Sequence, residues 1–239
     1  MRPKMIIGNW KLHKKSDEAR NFFNALKRPP EGIMVGITPT FTSIAAASVV
    51  SGTVDIGSQD ISDQKEGSFT GEVSLEMVQD AGAKFTLIGH SERRQHYKES
   101  DERIKRKVNR AVEASFPFIL CIGETSEERA SGVWQDVLKR QLEALPAEKE
   151  GKYIAVAYEP VWAIGSGKMA TAEEAKEVHS FIRDIVGPDV YILYGGSVTA
   201  ERVSELLSLE NVDGCLVGNA SLELSSFEAI LHEAEKLLS

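Results

Sequence analysis

A glutamate at the end of an apolar run is the residue of this sequence best suited to chemistry. The run Tyr153–Tyr158 has the composition of a buried strand, and Glu159 follows it directly. Because Pro160 comes next, the backbone of Glu159 is biased to the extended region. A carboxylate held at a strand end and shielded from water can act as a proton-abstracting base. An ordinary strand-to-helix loop with a solvated glutamate fits the same stretch, and the stretch alone does not separate the two.

The residues after Glu159 predict a flap that could close over it. Pro160 and Trp162 lead into a Gly-Ser-Gly tip at positions 165–167. Glycine gives such a tip the conformational freedom that a moving loop needs.

Polar residues follow the first apolar run as well. Asn9 and Lys11 stand directly after Met5–Gly8. Lys11 would supply the local cation that an acidic protein needs in order to bind an anion, or it is a solvated surface lysine. Asn9 fits either a hydrogen-bond donor beside Lys11 or a plain turn residue.

After the fourth apolar run comes His90, followed by Ser91-Glu92-Arg93-Arg94, which has the pattern of a first helical turn. A helix N-terminus disfavours the imidazolium form, so we expect a neutral histidine that donates a hydrogen bond. The alternative is a polar residue satisfied at a strand end.

Glycine-containing turns follow the last three runs. They lie at 165–167, 195–197 and 218–219 and include Gly165, Ser197, Gly218 and Asn219. Glycine lets backbone N–H groups approach a ligand closely, and loops of this kind bind phosphate in barrel enzymes. Together the three turns predict a phosphate site.

Composition limits the possible partners. The chain of 239 residues has a net charge of −8, which argues against nucleic acid or an anionic membrane as its partner. No apolar run approaches the length of a membrane span. The strand-like run Met5-Ile6-Ile7 begins so early that we expect no signal peptide.

Both cysteines, Cys121 and Cys215, lie in apolar runs, which predicts buried free thiols in a reducing cytoplasm. A catalytic thiol or a metal pair fits less well, because no His/Cys spacing supports one. We therefore predict neither metal nor cofactor. A base, a neutral donor and a cation then suit proton transfer next to a carbonyl.

Eight short apolar runs must position these residues. They are Met5–Gly8, Ile33–Ile37, Val54–Gly57, Phe85–Ile88, Phe118–Ile122, Tyr153–Tyr158, Val190–Tyr194 and Cys215–Val217. They are continuous rather than alternating, as in a parallel sheet covered on both sides, and their spacing of about 30 residues is that of a βαβ step. The sequence therefore predicts one (β/α)8 barrel domain over residues 1–239. A doubly wound open sheet fits less well, because no G-x-G-x-x-G follows the first strand.

Helical patterns fill the gaps between these runs. Capping boxes are predicted from Thr171 to Glu174, for a helix that ends near Val186, and from Ser225 to Glu228, for the last helix. Three further helices are predicted over Ser16–Lys27, Asp101–Ala114 and Val133–Leu145. The charges of the last two are interpreted as solvated surface. Surface positions are also predicted for His13, His96, His179 and His232.

The chain resembles the triosephosphate isomerases along its whole length. The resemblance is carried by Gly8-Asn9-Trp10-Lys11, Ile88 to Arg94, Tyr158 to Lys168, Tyr194 to Val198 and Leu216-Val217-Gly218, in that order. It implies a TIM barrel that interconverts dihydroxyacetone phosphate and glyceraldehyde 3-phosphate in the cytoplasm, in glycolysis and gluconeogenesis. A tuned Glu base beside a neutral His is a known pattern of that family.

The resemblance also assigns roles. Glu159 would move the proton, His90 would donate to the carbonyl oxygens, and Lys11 with Asn9 would stabilise the enediolate. Backbone amides around Gly165, Ser197, Gly218 and Asn219 would hold the phosphate under a flap from Pro160 to Ala170. Glu92, Cys121 and Thr70 are expected around the site, Glu92 either in the proton network or in a structural pair. The stretch Gln59–Glu72 would form a homodimer in which Thr70 reaches the partner's site.

Several residues depart from the family pattern. Asn219 stands at a usual glycine, a change that Asn tolerates if the backbone there needs a positive φ. The other departures are Asp60 in place of Asn, Ser166 in place of Thr, Leu12 in place of Met, and Met169 and Ala172 at the far hinge of the flap. Another phosphate-binding barrel isomerase or lyase, or a catalytically silent scaffold, is the competing interpretation.

Overall fold

The computed structural model describes residues 3–147, 154–162 and 170–238, and its strands close into a parallel barrel. The strands are β1 Lys4–Asn9, β2 Ile33–Thr38, β3 Asp55–Ser58, β4 Phe85–Ile88, β5 Phe118–Ile122, β6 Ile154–Tyr158, β7 Tyr191–Gly196 and β8 Gly214–Val217. Each strand pairs with its neighbours in sequence, and the pairing of Met5 with Gly214 closes the ring. The predicted (β/α)8 barrel is confirmed, and the open sheet is wrong.

Helices surround the barrel. Among the described residues they are α1 Ser16–Ala25, α2 Ile44–Ser48, α3 Leu75–Asp80, α4 Ser91–Tyr97, α5 Asp101–Glu113, α6 Ser126–Ala130, α7 Trp134–Leu142, α8 Ala172–Val186, α9 Ala200–Ser208 and α10 Leu224–Glu235. Short 3-10 helices lie at Phe41–Ser43 and Asn219–Ser221. No helix in the described ranges is both long and apolar enough to span a bilayer.

The strands are apolar on both faces because each face packs in a different layer. Inward side chains such as Ala155 and Ala157 belong to a small cluster inside the barrel, whereas Val156 and Tyr158 pack in the larger cluster that includes the helices. Since residues two apart on a strand share a face, Glu159 follows Ala157 toward the barrel axis. The alternation of β6 thus aims the candidate base inward.

Strand positions follow the sequence prediction closely. β4 and β5 have the predicted ends, and the other strands differ by one or two residues at an end. Tyr153, the predicted start of the sixth run, lies outside the described residues. α1 begins at Ser16 as predicted but ends at Ala25, because Leu26 is extended. α5 and α7 are slightly shorter than predicted.

One predicted capping box is confirmed and the other is wrong. Thr171 and Glu174 cap α8 reciprocally. α10 instead begins at Leu224 with no side-chain cap, so Ser225 already lies inside the helix. The carboxylate of Glu228 accepts a hydrogen bond from the backbone N–H of Lys27 rather than from its own helix.

His179 is a buried residue, contrary to the surface prediction, whereas His13, His96 and His232 are exposed as predicted. It packs against the rings of Tyr158 and Tyr194, and its Nδ1 lies 3.1 Å from the carbonyl oxygen of Asn211. Burial lowers the pKa of His179 to about 4, so it is neutral at physiological pH.

Lys107 corrects the prediction of a solvated charged face on α5. Its side chain is 0% exposed, and its Nζ pairs with Asp60 and Glu99. The prediction of buried free thiols is confirmed, because Cys121 and Cys215 are both free and buried.

Candidate active site

The polar residues singled out at the strand ends meet at one small cavity of about 30 Å³. It is lined by Asn9, Lys11, His90, Glu159, Gly195, Gly196, Leu216 and Gly218. These residues come from the C-terminal ends of five different strands, the end at which barrel enzymes place their sites. The convergence expected from the sequence is therefore present.

Glu159 is held at the centre of this cavity by contacts on every side. Its backbone N–H donates to the carbonyl of Ile122 at 2.8 Å, and its Oε2 accepts from the backbone N–H of Ser91 at 3.2 Å. Two glycines make the room: a Cβ on Gly123 would stand 1.8 Å from the Glu159 carbonyl oxygen, and one on Gly195 would stand 2.9 Å from its Cγ. The alternative of a solvated loop glutamate is wrong, because Glu159 is buried.

The ionised form of Glu159 is stabilised despite this burial. Burial by itself raises the pKa of Glu159, but the charge and hydrogen bond of His90, the N–H of Ser91 and the charge of Lys11 outweigh it. The pKa of Glu159 therefore lies below its ordinary value. A carboxylate that is ionised and dry is ready to accept a proton.

His90 connects Glu159 to the start of α4. It is the N-cap residue, and its Nδ1 accepts from the backbone N–H of Glu92 at 3.2 Å, while its Nε2 lies 2.9 Å from Glu159 Oε1. Since Nδ1 accepts a hydrogen bond and Nε2 donates one, the hydrogen bonding assigns the neutral tautomer with its proton on Nε2.

The charge of Glu159 opposes that neutral state of His90. Burial lowers the pKa of His90, but the charge and hydrogen bond of Glu159 outweigh burial and raise that pKa. A ligand that separates the two side chains removes the raising influence. Burial, the charge of Lys11 and the helix N-terminus then favour the neutral donor expected from the sequence.

Lys11 is held through its backbone as well as through its side chain. Its φ is +50°, a conformation that residues other than glycine rarely adopt. The backbone N–H of Lys11 donates to Asn9 Oδ1 at 3.0 Å, and Gln59 Nε2 donates to the Lys11 carbonyl at 2.7 Å. Its Nζ pairs with Glu92 Oε1 at 2.7 Å. Glu92 therefore forms an ion pair with Lys11, and its part in the proton network stays a prediction.

The phosphate-site residues have different outcomes. Gly218 lines the cavity, Ser197 is half-buried between β7 and α9, and Asn219 is exposed at the start of a 3-10 helix. Asn219 is absent from the described residues with positive φ, so glycine is not required there for conformation. Gly165, with Ser166 and Met169, lies outside the described residues.

Cys121 and Thr70 lie around the site in different ways. Cys121 is buried inside the barrel, where burial and then the charge of Glu159 raise its pKa well above the ordinary value. It is a neutral thiol. Thr70 is exposed on a separate surface with Phe69 and Arg103, away from the cavity of this chain.

Glu124 is a residue near the site that the sequence analysis missed. It follows β5, and its Oε1 accepts from Tyr158 OH and from Trp162 Nε1, both at 3.0 Å. Burial raises the pKa of Glu124. It thus anchors the first residues of the predicted flap. The rule of polar residues at strand ends, applied to β5, would have found it.

A closed (β/α)8 barrel with a buried carboxylate, an imidazole and a lysine at its C-terminal end defines the class of barrel enzymes that transfer protons. Sequence comparison narrows the class. A family model described as "Triosephosphate isomerase" matches residues 4–234. The chain belongs to the triosephosphate isomerase family.

Relatives with that name align along nearly the whole chain. A triosephosphate isomerase of Mycoplasmopsis pulmonis is 42% identical, covering 95% of this chain and 96% of its own length. Those of Syntrophotalea carbinolica and Thermus thermophilus are 44% and 43% identical, covering 97% and 98% of this chain and 98% and 100% of their own lengths.

Proposed function

We propose that this chain catalyses the reaction of its family, the interconversion of dihydroxyacetone phosphate and D-glyceraldehyde 3-phosphate, with Glu159 as the base. The observation that carries the proposal is the 2.9 Å contact between Glu159 and His90 beside Lys11. A carboxylate, a neutral donor and a cation are the groups that this proton transfer requires.

In this mechanism the substrate enters between Glu159 and His90. Glu159 removes a proton from the carbon next to the carbonyl and returns it to the neighbouring carbon. His90 Nε2 donates to the substrate oxygens and carries the hydroxyl proton from one oxygen to the other, and Lys11 with Asn9 stabilises the negative charge of the enediolate. Backbone amides near Gly165, Ser197, Gly218 and Asn219 hold the phosphate, and closure of the flap excludes water.

A coupled assay with glyceraldehyde 3-phosphate, in the presence of a chelator, tests this proposal. Fast conversion to dihydroxyacetone phosphate is the expected result. If the folded protein gives no conversion, binding of 2-phosphoglycolate separates a disabled isomerase from a scaffold: a disabled isomerase still binds the anion, and a scaffold does not.

A homodimer through Gln59–Glu72 belongs to the same proposal. Phe69 in this stretch is 47% exposed, and Leu12, next to Lys11, is 93% exposed. Large apolar side chains left in water favour burial by a partner. Thr70 would then reach the partner's cavity. Sedimentation at micromolar concentration should give a dimer, and a monomer would contradict the proposal.

The proposal extends to the cellular setting. We place the reaction in the cytoplasm, in glycolysis and gluconeogenesis. Co-fractionation of the activity with cytoplasmic markers is the expected result.

A further inference from the structure

A cluster of four charges lies behind the active site and is not used by the mechanism above. Asp60 accepts from Lys107 Nζ at 2.7 Å with each of its two oxygens, and its Oδ2 also lies 2.8 Å from Arg93 Nε. Glu99 pairs with both cations, at 2.6 Å to Lys107 and 2.8 Å to Arg93. The two carboxylates and two cations balance, and Lys107 is completely buried.

This cluster joins three elements that build the site. Asp60 follows β3, Lys107 lies on α5, and Arg93 lies in the first turn of α4, where its backbone N–H donates to the carbonyl of His90 at 2.9 Å. The residue before Asp60 is Gln59. Its Nε2 holds the carbonyls of Lys11 at 2.7 Å and Thr38 at 3.0 Å. A continuous path therefore runs from the cluster through Gln59 to Lys11.

Lys11 needs such support more than other site residues do. Its left-handed backbone costs free energy, and such conformations persist only where surrounding contacts over-determine them. The Gln59 hydrogen bond to the Lys11 carbonyl is one of these contacts. A shift of Gln59 would thus disturb the Lys11 backbone from which the ammonium group extends.

We propose that Asp60 is a positioning residue for the isomerase reaction: its negative charge, pinned by Lys107 and Arg93, fixes Gln59 and through it Lys11. This inference rests on the proposed role of Lys11. Asp60 contacts both Lys107 and Arg93, and a peptide bond links it to Gln59.

The charge of Asp60 is also the part of the cluster most open to titration. Burial, opposed by Lys107 and Arg93 and reinforced by Glu99, raises the pKa of Asp60 to about 6. At Glu99 the two cations outweigh burial and lower the pKa, and Arg103 acts on Glu99 from farther along α5. Below about pH 6 the wild type should therefore resemble a neutral variant at position 60.

Asp60→Asn tests the proposal through the ratio of wild-type to variant kcat/KM across pH. We expect a ratio of about 10 at pH 8, since small misplacements of catalytic groups cost this much or more, falling toward 1 at pH 5. The ratio cancels the ionisation of the substrate phosphate, whose second pKa also lies near 6. A ratio of 1 throughout, or a ratio that does not change with pH, would overturn the proposal.

Gln59→Ala identifies the route. If Asp60 acts through Gln59, adding Asp60→Asn to Gln59→Ala should lower kcat/KM by less than a further twofold. If the two substitutions act independently, their effects on kcat/KM multiply, and that result would contradict the proposal. Should Asp60→Asn fail to fold, the ratio of wild type to Gln59→Ala carries the same test, because it too should fall with decreasing pH. A flat ratio there would overturn the route.

Asp213→Asn is the matched control. Asp213 holds Arg183 at 2.6 Å, away from the site, so its variant should be less stable but should keep kcat/KM within twofold at every pH. Lys11→Met separates this inference from the function on which it rests. If Lys11→Met is inactive but Asp60→Asn is normal, only the role of Asp60 fails; an active Lys11→Met would remove the role of Lys11 itself.

Discussion

The two ends of the barrel differ in size and chemistry although the same strands build both. At the N-terminal end a cavity of about 410 Å³ is lined by apolar side chains such as Met5, Met34 and Phe85, with Asp55 and Lys84 at its edge. The cavity at the C-terminal end is about 30 Å³ and holds Asn9, His90 and Glu159.

Strand direction rather than cavity size therefore locates the chemistry. On β1, Met5, Ile7 and Asn9 share the inward face, with Met5 at one end and Asn9 at the other. The larger cavity, at the N-terminal end, is lined by apolar side chains and one pair of opposite charges. The smaller one collects hydrogen-bonding groups that converge on the space a ligand would fill.

The largest effect is expected for Lys11→Met, which removes the cation from the C-terminal end. We expect kcat/KM to fall by about 10³-fold, the scale of losing a principal electrostatic contact in the transition state. The midpoint of unfolding should hardly change, because an ion pair that is partly open to solvent contributes little to stability. Lys84→Met, at the opposite end, is the matched control and should keep full activity. Equal losses of kcat/KM in Lys11→Met and Lys84→Met would contradict the difference between the two ends of the barrel.

Phe85→Ala tests the opposite end, where we expect a change in stability instead. The Phe85 ring packs against the backbone of Gly57 and Gly36. Removing it should lower the free energy of unfolding by about 3 kcal/mol, the low end for a buried Phe beside an open cavity. Activity per folded molecule should stay within twofold. Chemical denaturation checks the first value, and Phe41→Ala, at an exposed ring, should be nearly neutral.

Glu159→Asp sharpens the requirement for position at the C-terminal end. The carboxylate retreats by about 1 Å, and a misplacement of that size costs about 100-fold in turnover. Steady-state kinetics on the purified variant gives the value. Asp55→Asn, an acid at the other cavity, should leave turnover unchanged. Normal turnover in Glu159→Asp would exclude Glu159 as the base.

His179 lies between strands and helices, at neither end, so it should affect stability alone. The pKa of His179 in the folded protein, about 4, lies below the ordinary value of about 6.5. Between these two pH values the unfolded chain therefore binds the proton more tightly than the folded chain does. Its contribution to stability is complete above about pH 7 and falls by about 2 kcal/mol between pH 7 and pH 5. The raised pKa of Asp60 acts with the opposite sign, so the informative quantity is the difference between wild type and variant.

Denaturation of His179→Gln at several pH values measures that difference. The variant should lack the fall in stability between pH 7 and pH 5 that His179 causes in the wild type, while its activity stays near normal. His232→Gln, at an exposed histidine, should behave like wild type at every pH. If His179→Gln keeps the wild-type pH dependence, His179 is not the group responsible.

The sequence predicted the barrel and the members of the site because both depend on short-range patterns. β4 and β5 are continuous apolar runs with unambiguous ends, and Asn9, His90 and Glu159 lie at the last residue of a strand or within two residues after it. Because the C-terminal ends of the strands meet at one rim of a barrel, the positions of the strands were enough to bring these residues together.

What the sequence did not reveal depends on long-range contacts. Lys107 looks like one more charge on an amphipathic helix, and its partner Asp60 lies 47 positions away. His179 is different, since it lies beside Val178 and one turn from Ala175 and Ile182, all buried, so helical spacing could have predicted its burial. Ser225 is not the cap because α10 begins at Leu224, with Glu223 in the N-cap position two residues before Ser225.

The contact between Glu159 and His90 has a consequence for every molecule that enters the site. Glu159 and His90 satisfy each other, so a substrate that enters between them must separate this pair. Its measured affinity is the intrinsic affinity reduced by the fraction of molecules in which the pair is open. Affinity is then set by the ease of separating two side chains as much as by the fit of the substrate.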